Sequence, residues 1–352
     1  MQSSPVATWF QTDEAYRFYQ SVGGMQAFAY GVAEDCRLVG VVVGYTTQET
    51  CKIKQHFTCR TIIYGGPLLA DDISDEALSA LLQAIRRLGE RAPHEVTNSV
   101  GAPAKAKGKE TSKAVTPAST PYTIHYTPIY VEIRNFHDYS RWRAVFTHSG
   151  FEYKKHLNYH VNTTTTEIAQ SNIGKHRWKY IRLSMRDGAK IVENPSIEQV
   201  RAFYTILQDL YQTKVKTPLW SWEFFEQLYH VEHAEYILVE LDGKIVGGTV
   251  CVCLPGKAIY EWYACGLDNC RDDIRPLSVA IWGEMQYAAE HGYPLFDFMG
   301  AGKPDEPYGV RDFKAEFGGE LVEYGRFLCI RKPLLYKIGT LGVKWLKKRL
   351  FK

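Results

Sequence analysis

The sequence contains the same series of landmarks twice, about 200 residues apart. An aliphatic-Val-Gly triplet in a β-hairpin pattern, an aromatic strand that ends in glycine and an apolar helix that ends in glycine follow one another in both halves. The pairs are residues 38–40 with 245–247, residues 64–66 with 263–266, and Gly89 with Gly292. Three landmarks at a similar offset indicate duplication of one α/β unit. Each copy is predicted to be a meander of antiparallel strands followed by a helix and another strand.

Length and composition support two ordinary globular domains. The chain has 352 residues, of which 45% are apolar and 23% charged, enough to build two separate cores. We predict a first domain over residues 1–165, a second over residues 166–330 and a tail over residues 331–352. The predicted fold class is α/β (α+β), with mixed, mostly antiparallel sheets flanked by helices.

Two segments differ in composition from the rest of the chain. Residues 101–121 hold no large apolar residue except Val115, so we predict a disordered surface loop. Residues 331–352 hold eight Lys and Arg and no acid, and taking these from the net +3 leaves about −5 for the remainder. The apolar residues of the tail fall on one stripe of a predicted helix: Leu334, Ile338, Leu341 and Trp345. Such a helix is typical of contact with an anionic membrane, with packing on the body or contact with tRNA as alternatives.

The stretch with the strongest functional pattern covers residues 295–320. Its apolar start, LFDFM, predicts a buried strand, and a loop containing Gly300 and Gly302 follows. Glycine permits positive φ and lets the backbone come close to a ligand. The stretch ends in Phe-Lys-x-x-Phe-Gly-Gly, with Lys314 between two phenylalanines. Such a lysine is either a surface residue or a cation held where negative charge develops.

The order Asp-Phe-x-Gly, a Gly/Pro/Asp loop, Gly-Val and Phe-Lys-x-x-Phe-Gly-Gly resembles the C-terminal signature of the Fem-type peptidoglycan aminoacyltransferases, such as the lipid II:glycine glycyltransferases. The resemblance is strongest over residues 220–331. It implies two acetyltransferase-like (GNAT-like) domains in tandem, an order of elements that agrees with the repeat. It also implies transfer of an amino acid from aminoacyl-tRNA to the stem peptide of UDP-MurNAc-pentapeptide or lipid II.

The resemblance also implies roles for individual residues. The lysine of the Phe-Lys pair, here Lys314 beside Phe313, is expected to stabilise the tetrahedral intermediate as a catalytic residue. Arg311 is a candidate for binding a phosphate or a carboxylate. Lys214 and Lys216 lie where the family commonly places a basic residue for the diphosphate. The other expected substrate-binding residues are Phe313, Gly300, Gly302, Trp262 and Tyr263. Trp262 and Tyr263 should alternate along a strand, so at most one is expected to line a groove.

Several classes of site have no motif in the sequence. HExxH, CxxC pairs and EF-hand spacing are absent, as are the P-loop and the GxSxG elbow, so we expect no metal and no cofactor. Coenzyme-A-dependent GNAT proteins bind a diphosphate at a glycine-rich turn. The corresponding turn here holds Asp268, Asp272 and Asp273, whose charge disfavours a diphosphate.

Two other functions remain open. One is an N-acyltransferase of the same fold that uses acyl-CoA or an acyl carrier protein. The other is a non-catalytic binding module of the cell envelope. Neither a signal peptide nor a spanning apolar run is evident, and none of the eight cysteines forms a CxxC pair. We therefore expect a cytoplasmic protein, peripheral at the inner face of the membrane through its tail.

Overall fold

A computed structural model of the chain describes residues 4, 6–90, 127–192, 194–268 and 270–350, without the side chains of residues 343–350. The loop predicted over residues 101–121 lies outside the described residues. The described helices are α1 (Asp13–Ser21), α2 (Lys52–Thr58), α3 (Asp75–Arg86), α4 (Arg143–His148), α5 (Thr166–Asn172), α6 (Lys175–Arg186), α7 (Ile197–Leu210), α8 (Trp222–Tyr229), α9 (Pro276–Glu290), α10 (Gly309–Ala315) and α11 (Pro333–Leu350). The described strands are β1 (Met25–Glu34), β2 (Arg37–Thr47), β3 (Thr61–Gly65), β4 (Leu68–Leu69), β5 (Tyr130–Asn135), β6 (Glu152–Lys154), β7 (Leu157–Asn162), β8 (Lys190–Val192), β9 (Ala234–Leu241), β10 (Lys244–Leu254), β11 (Ala258–Gly266), β12 (Leu295–Asp297), β13 (Glu320–Glu323) and β14 (Arg326–Ile330).

The chain divides into two compact units, and each unit is built from segments that are separate in the sequence. Unit 1 consists of Met1–Gln11, Gly24–Tyr153 and Arg326–Lys352, and unit 2 of Thr12–Gly23 and Lys154–Gly325. Helix α1 therefore belongs to the second unit and strand β14 to the first. A single boundary near residue 165 does not describe these exchanges.

The sheet of unit 1 has the order β1-β2-β3-β5-β14-β6, with β4 paired to β2. Strands β1, β2 and β3 pair antiparallel, whereas β5 lies parallel to β3. Helix α3 lies between β3 and β5 in sequence and packs on the sheet. Ser74 is the N-cap of α3, and its hydroxyl accepts a hydrogen bond from the Ala77 amide. The buried residues of this helix recur at helical spacing and form the centre of this core: Leu78, Leu81, Leu82 and Ile85.

The sheet of unit 2 has the order β13-β7-β12-β11-β10-β9-β8. Strands β9, β10 and β11 are antiparallel, α9 follows, and β12 lies parallel to β11. Both units thus contain the same series of three antiparallel strands, a helix and a parallel fourth strand. The predicted tandem α/β architecture is confirmed.

Helix α9 is buried on nearly all sides. Most of its residues contact the sheet or helices α5 and α6, and the polar residues Ser278 and Glu284 are buried with them. No helix among the described residues combines the length and the apolar character needed to cross a lipid bilayer.

Candidate functional site

The loop that follows β12 is held by buried hydrogen bonds. Asp297, fully buried, accepts hydrogen bonds from the Met299 amide (2.6 Å) and from Asn158 Nδ2 (2.6 Å), and it lies 3.0 Å from His160 Nε2. Asn158 Oδ1 in turn accepts from the Gly300 amide at 2.7 Å. These contacts hold Met299 at φ +56°, an uncommon value for a residue with a side chain.

Burial and charge act against each other at the pair of His160 and Asp297. Burial lowers the pKa of His160, but the charge and hydrogen bond of Asp297 together with the charge of Glu320 raise it by more, so the net pKa is above the ordinary value. For Asp297 burial raises the pKa, whereas His160 and the hydrogen bonds to the carboxylate lower it to below its ordinary value. The pair is therefore charged over a wider pH range than either group alone.

Lys314, on helix α10, binds the backbone of the loop that follows β12. Its Nζ donates hydrogen bonds to the Phe298 carbonyl (2.7 Å) and the Gly300 carbonyl (3.1 Å). It lies 3.4 Å from Glu261 Oε1 and 4.9 Å from the centre of the Phe298 ring. The side chain is only 13% exposed. An ammonium group has three donors, and all three have acceptors here, so Lys314 is a largely buried cation at the carboxyl end of β12.

Two buried carboxyl groups lie behind Lys314. Glu261 is on β11 and Glu284 is on α9, and Glu284 is completely buried. Among the described residues neither oxygen of Glu284 has a hydrogen-bond partner of ordinary geometry, and the same holds for Glu261 Oε2. Burial raises the pKa of both groups. For Glu261 the cation of Lys314 opposes the rise, and for Glu284 the charge of Glu261 adds to it.

A cavity of about 300 Å³ lies at the start of α9, where β11 ends. Its charged and polar lining comes from Arg177, Asp268, Asp272, Arg275 and Ser278, and Phe313 is among its apolar lining residues. Gly266 is required at this point, because a Cβ there would lie 2.7 Å from the Leu277 amide nitrogen. The first turn of α9 offers fewer donors than usual, since Pro276 has no amide hydrogen.

Arg177 joins this cavity to helix α10. Its guanidinium group forms an ion pair with Glu316 (2.9 Å), donates to Ser278 Oγ (2.9 Å) and lies 4.7 Å from the centre of the Phe313 ring. The stacked, multiply bonded arrangement is one that lysine cannot reproduce. Phe313 thereby forms part of the cavity wall while Lys314, the next residue, points to the loop after β12.

Comparison with known proteins identifies the fold. Residues 175–314 match a family model described as an acetyltransferase (GNAT) domain. In fold the chain is similar to a crystal structure of FemX, with a TM-score of 0.65, 15% identity and 96% of each chain covered. It is also similar to L-PGS from Bacillus licheniformis (TM-score 0.51, 14% identity, 90% of this chain and 87% of that one). A tandem GNAT protein from the clavulanic acid biosynthesis pathway is likewise similar (TM-score 0.51, 9% identity, 93% and 90% covered).

The chain has a tandem GNAT fold. The predicted resemblance in fold to Fem-type proteins is thus confirmed at low identity. No curated protein matches the sequence significantly.

Within this tandem GNAT fold, the residues predicted from the Phe-Lys stretch lie together. Gly300 and Gly302 adopt φ of +145° and +78°, so both use the conformational freedom for which they were singled out. Arg311 donates to the carbonyls of Lys303 (2.6 Å) and Glu306 (2.8 Å). Its guanidinium group therefore holds the preceding loop together.

Of the two basic residues after α7, Lys214 contacts a residue of the cavity lining. Lys214 forms an exposed ion pair with Asp268, which lines the cavity. Lys216 ends a π-helical turn in the left-handed region, at φ +54°, and is half-buried. Their predicted contact with a diphosphate stays a prediction.

Trp262 and Tyr263 do not alternate as predicted. Val250 pairs with Tyr263 and the next residue, Cys251, pairs with Glu261, so Trp262 is the extra residue of a β-bulge. A bulge turns neighbouring side chains to the same side. Both rings contact Phe224 of α8, with centroid distances of 5.2 and 5.9 Å, and they lie nearly parallel. Both are half-buried, so the argument that only one can face a groove is wrong; substrate binding by either stays a prediction.

The sequence prediction missed Glu261, Glu284 and Arg177. Both glutamates interrupt apolar runs, AIYEWYACG and SVAIWGEMQY, and an acid inside such a run is the signal that would have marked them. Arg177 lies in a helix rich in basic residues, where the sequence offers no means of choosing it.

One group outside this region has the composition of a metal site. Glu14, Glu232 and His233 place one possible ligand atom each within 4.8 Å of one another. Glu14 already accepts hydrogen bonds from the His233 amide (3.2 Å) and contacts its Nδ1 (3.1 Å). These contacts account for the arrangement without an ion.

Proposed function

We propose that the protein is an aminoacyltransferase that moves an amino acid from aminoacyl-tRNA to an amino group of the stem peptide of a peptidoglycan precursor, forming part of an interpeptide bridge. The observation that supports this most is the position of Lys314. The resemblance assigns this residue to the oxyanion, and its ammonium group is buried at a glycine-containing loop. In a site with little water, a fixed cation stabilises developing negative charge more strongly than at a surface.

The acceptor amine would attack the ester carbonyl carbon of the aminoacyl-tRNA. A C–N bond forms, the C–O bond to the ribose breaks, and the proton lost by the amine ends on the released ribose oxygen. Negative charge collects on the carbonyl oxygen in the intermediate. Lys314 would bind that oxygen by exchanging its longest contact, the 3.4 Å pair with Glu261, while the shorter bonds to Phe298 and Gly300 keep it in place.

The preference for an ester donor over coenzyme A comes from the resemblance and from the start of α9. Pro276 removes one amide donor from the first turn of that helix, which weakens it as a diphosphate site. The charges of the cavity lining do not decide between the donors, because Asp268 and Asp272 are balanced there by Arg177 and Arg275. The fold similarity to FemX is compatible with a peptidoglycan precursor as acceptor, and we take UDP-MurNAc-pentapeptide and lipid II as the two forms to test.

A second candidate function has an observation of its own. The cavity occupies the end of β11 and the start of α9, and residues 175–314 match an acetyltransferase model. An N-acyltransferase that takes an acyl thioester from coenzyme A or an acyl carrier protein would use the same lysine on the same kind of intermediate.

The two donors can be separated with purified protein. It is incubated with each acceptor and either a pool of charged tRNA or a set of acyl-CoA thioesters, and the acceptor is examined by mass spectrometry. We expect a mass increase of one amino acid residue with charged tRNA only. Transfer from acyl-CoA only would establish the second candidate. Tight binding of a precursor without any transfer would indicate a binding module.

The role of Lys314 is tested with a matched pair of variants. Lys314→Ala removes a largely buried ammonium group, whereas Lys303→Ala removes one that is 62% exposed and pairs with the equally exposed Glu306. We expect turnover to fall by about 10²- to 10³-fold for Lys314→Ala and to remain within about twofold for Lys303→Ala. Equal turnover in both folded variants would exclude Lys314 from the reaction.

A further inference from the structure

Helix α11 carries an apolar stripe that faces away from unit 1. Leu334, Ile338 and Leu341 are 77%, 63% and 66% exposed. The ring of Tyr336, by contrast, packs against Tyr130 of β5 at a centroid distance of 5.6 Å. At 3.6 residues per turn, the three aliphatic residues lie about 140–160° around the helix from Tyr336. One face of α11 is therefore attached to unit 1, and the opposite, apolar face is open.

Helix α2 has a second exposed apolar pair. Ile53 and Phe57, four residues apart on one helix face, are 73% and 57% exposed. The opposite side of this short helix is anchored by Gln55, which is buried and donates to the Thr47 carbonyl at 3.0 Å. Large apolar side chains this exposed are unusual in pairs and mark an interaction surface.

The two helices are attached to the same residue of unit 1. Ile129, just before β5, donates its amide to the carbonyl of Cys59, the residue after α2 (2.7 Å). Its carbonyl accepts from the amides of Arg331 and Lys332 (2.8 and 3.0 Å), which lead into α11. The end of α2 and the start of α11 are thus held close together in unit 1.

Basic residues accompany this region. Helix α2 contains Lys52 and Lys54 and no acid, and residues 331–352 contain eight Lys and Arg and no acid. Two carboxylates beside this region are already paired: Glu49 with Lys54 and Glu90 with Arg331. The surface therefore combines open aliphatic and aromatic side chains with an excess of positive charge.

We propose that α2 and α11 together form a docking surface for an anionic lipid bilayer, with Ile53, Phe57, Leu334, Ile338 and Leu341 inserted at the level of the headgroups. Apolar insertion combined with attraction of lysine to anionic headgroups is the general basis of such binding. The proposal concerns unit 1 and holds whichever acyl transfer the chain performs. It adds α2 to the surface expected from the tail alone.

Charge and polarity argue against other occupants. An RNA backbone would use the lysines but leave the aliphatic stripe in water. A second copy of this chain would bring two basic surfaces into contact, which is unfavourable. An anionic bilayer accommodates both features at once.

The test is co-sedimentation of the full chain with vesicles of phosphatidylcholine alone and of equal parts phosphatidylcholine and phosphatidylglycerol. We expect binding to the anionic vesicles only, weakened several-fold when NaCl is raised from about 0.1 to 0.5 M, because salt screens the attraction. The variants Leu334→Ser/Ile338→Ser and Ile53→Ser/Phe57→Ser should each weaken vesicle binding about tenfold or more.

Leu38→Ser serves as the matched control, because Leu38 is 61% exposed in the same unit but lies on β2; we expect no change in binding. All these side chains are exposed, so circular dichroism should report unchanged folding. Equal binding by the α11 variant and the wild type would overturn the proposal. So would a wild-type protein that ignores anionic vesicles, or serine variants that lose only tRNA binding or only self-association.

Discussion

The ammonium nitrogen of Lys314 lies 3.4 Å from a carboxylate oxygen of Glu261, and the two side chains are only 13% and 5% exposed. A buried ion pair of this kind gains little in net stability, because desolvation offsets much of the attraction. The pair is informative because a second buried carboxyl group lies near it. Among the described residues Glu284, whose charge interacts with that of Glu261, forms no ion pair, so the cluster has more carboxyl groups than positive charges to pair with them. This charge imbalance is removed at the lowest free-energy cost if Glu284 keeps its proton.

Replacement of Glu284 by glutamine should therefore become more favourable as pH rises. The pKa of Glu284 is raised well above its ordinary value of 4.5. Above pH 4.5 the unfolded chain loses a proton that the folded chain keeps, so the stability of the wild type falls with increasing pH until the folded-state pKa is passed. Glu284→Gln lacks this fall. Its gain in unfolding free energy over the wild type should grow by up to about 1.4 kcal/mol per pH unit.

Urea unfolding at pH 4.5, 6 and 8 measures this difference. Glu290→Gln is the control, because Glu290 lies on the same helix but is exposed, and its effect should not change with pH. A Glu284→Gln difference that stays constant between pH 4.5 and 8 would show that Glu284 is ionised in the folded protein.

Arginine and methionine at position 314 should separate loop support from chemistry. Lys314→Met leaves Glu261 buried without its cation and leaves the carbonyls of Phe298 and Gly300 without donors. We expect a loss of about 3–5 kcal/mol in unfolding free energy and a fall in turnover of about 10²- to 10³-fold, as for Lys314→Ala. Lys314→Arg retains the charge, so it should recover most of the stability. Its planar group does not match the geometry of the three acceptors, and turnover should remain at least tenfold low. Full turnover in either folded variant contradicts the proposed role.

The sequence predicted the fold better than the site, for reasons visible at particular residues. The spacing of Leu78, Leu81, Leu82 and Ile85 matches the period of an α-helix, so it predicts α3 and its buried face. The internal repeat then predicts the same order of elements in the second unit. The bulge at Trp262 has no such signal, because a single extra residue changes no period. The position of β14 in unit 1 has no such signal either, because it depends on pairing between segments that are distant in the sequence. Lys314 was found through its motif, whereas its partner Glu261, 53 positions earlier in the sequence, is brought to it only by the folded chain.

The pair of His160 and Asp297 should stabilise the protein over a defined pH window. The pKa of His160 is raised, so its contribution is fully present below the ordinary histidine pKa of 6.5 and is lost as pH rises through the folded value. The pKa of Asp297 is lowered, so its contribution is present above 3.8 and is lost as pH falls through the folded value. His160→Gln should therefore destabilise most between about pH 4 and 6.5 and less at pH 9.

Unfolding by urea at pH 5.5 and 9 tests this, with His56→Gln, an exposed histidine of α2, as control. A loss for His160→Gln that is equal at both pH values would mean that the ring is neutral throughout and acts only as a hydrogen-bond partner.

The Phe-Gly-Gly end of the signature should act through the fold and not through a ligand. Gly318 adopts φ +79°, and a Cβ there would lie 2.2 Å from the Asn172 carbonyl oxygen, a backbone atom that cannot move aside. Gly243 has nearly the same φ, +75°, but a Cβ there would meet nothing within 4 Å. Gly243→Ala should cost only the backbone strain, about 1 kcal/mol, whereas Gly318→Ala adds the clash and should cost about 2 kcal/mol or more beyond that. Thermal unfolding of both variants measures the difference. Equal losses would show that Asn172 does not constrain this turn. The presence of Gly318 and Gly319 in the motif would then be explained by contact with a ligand and not by the fold.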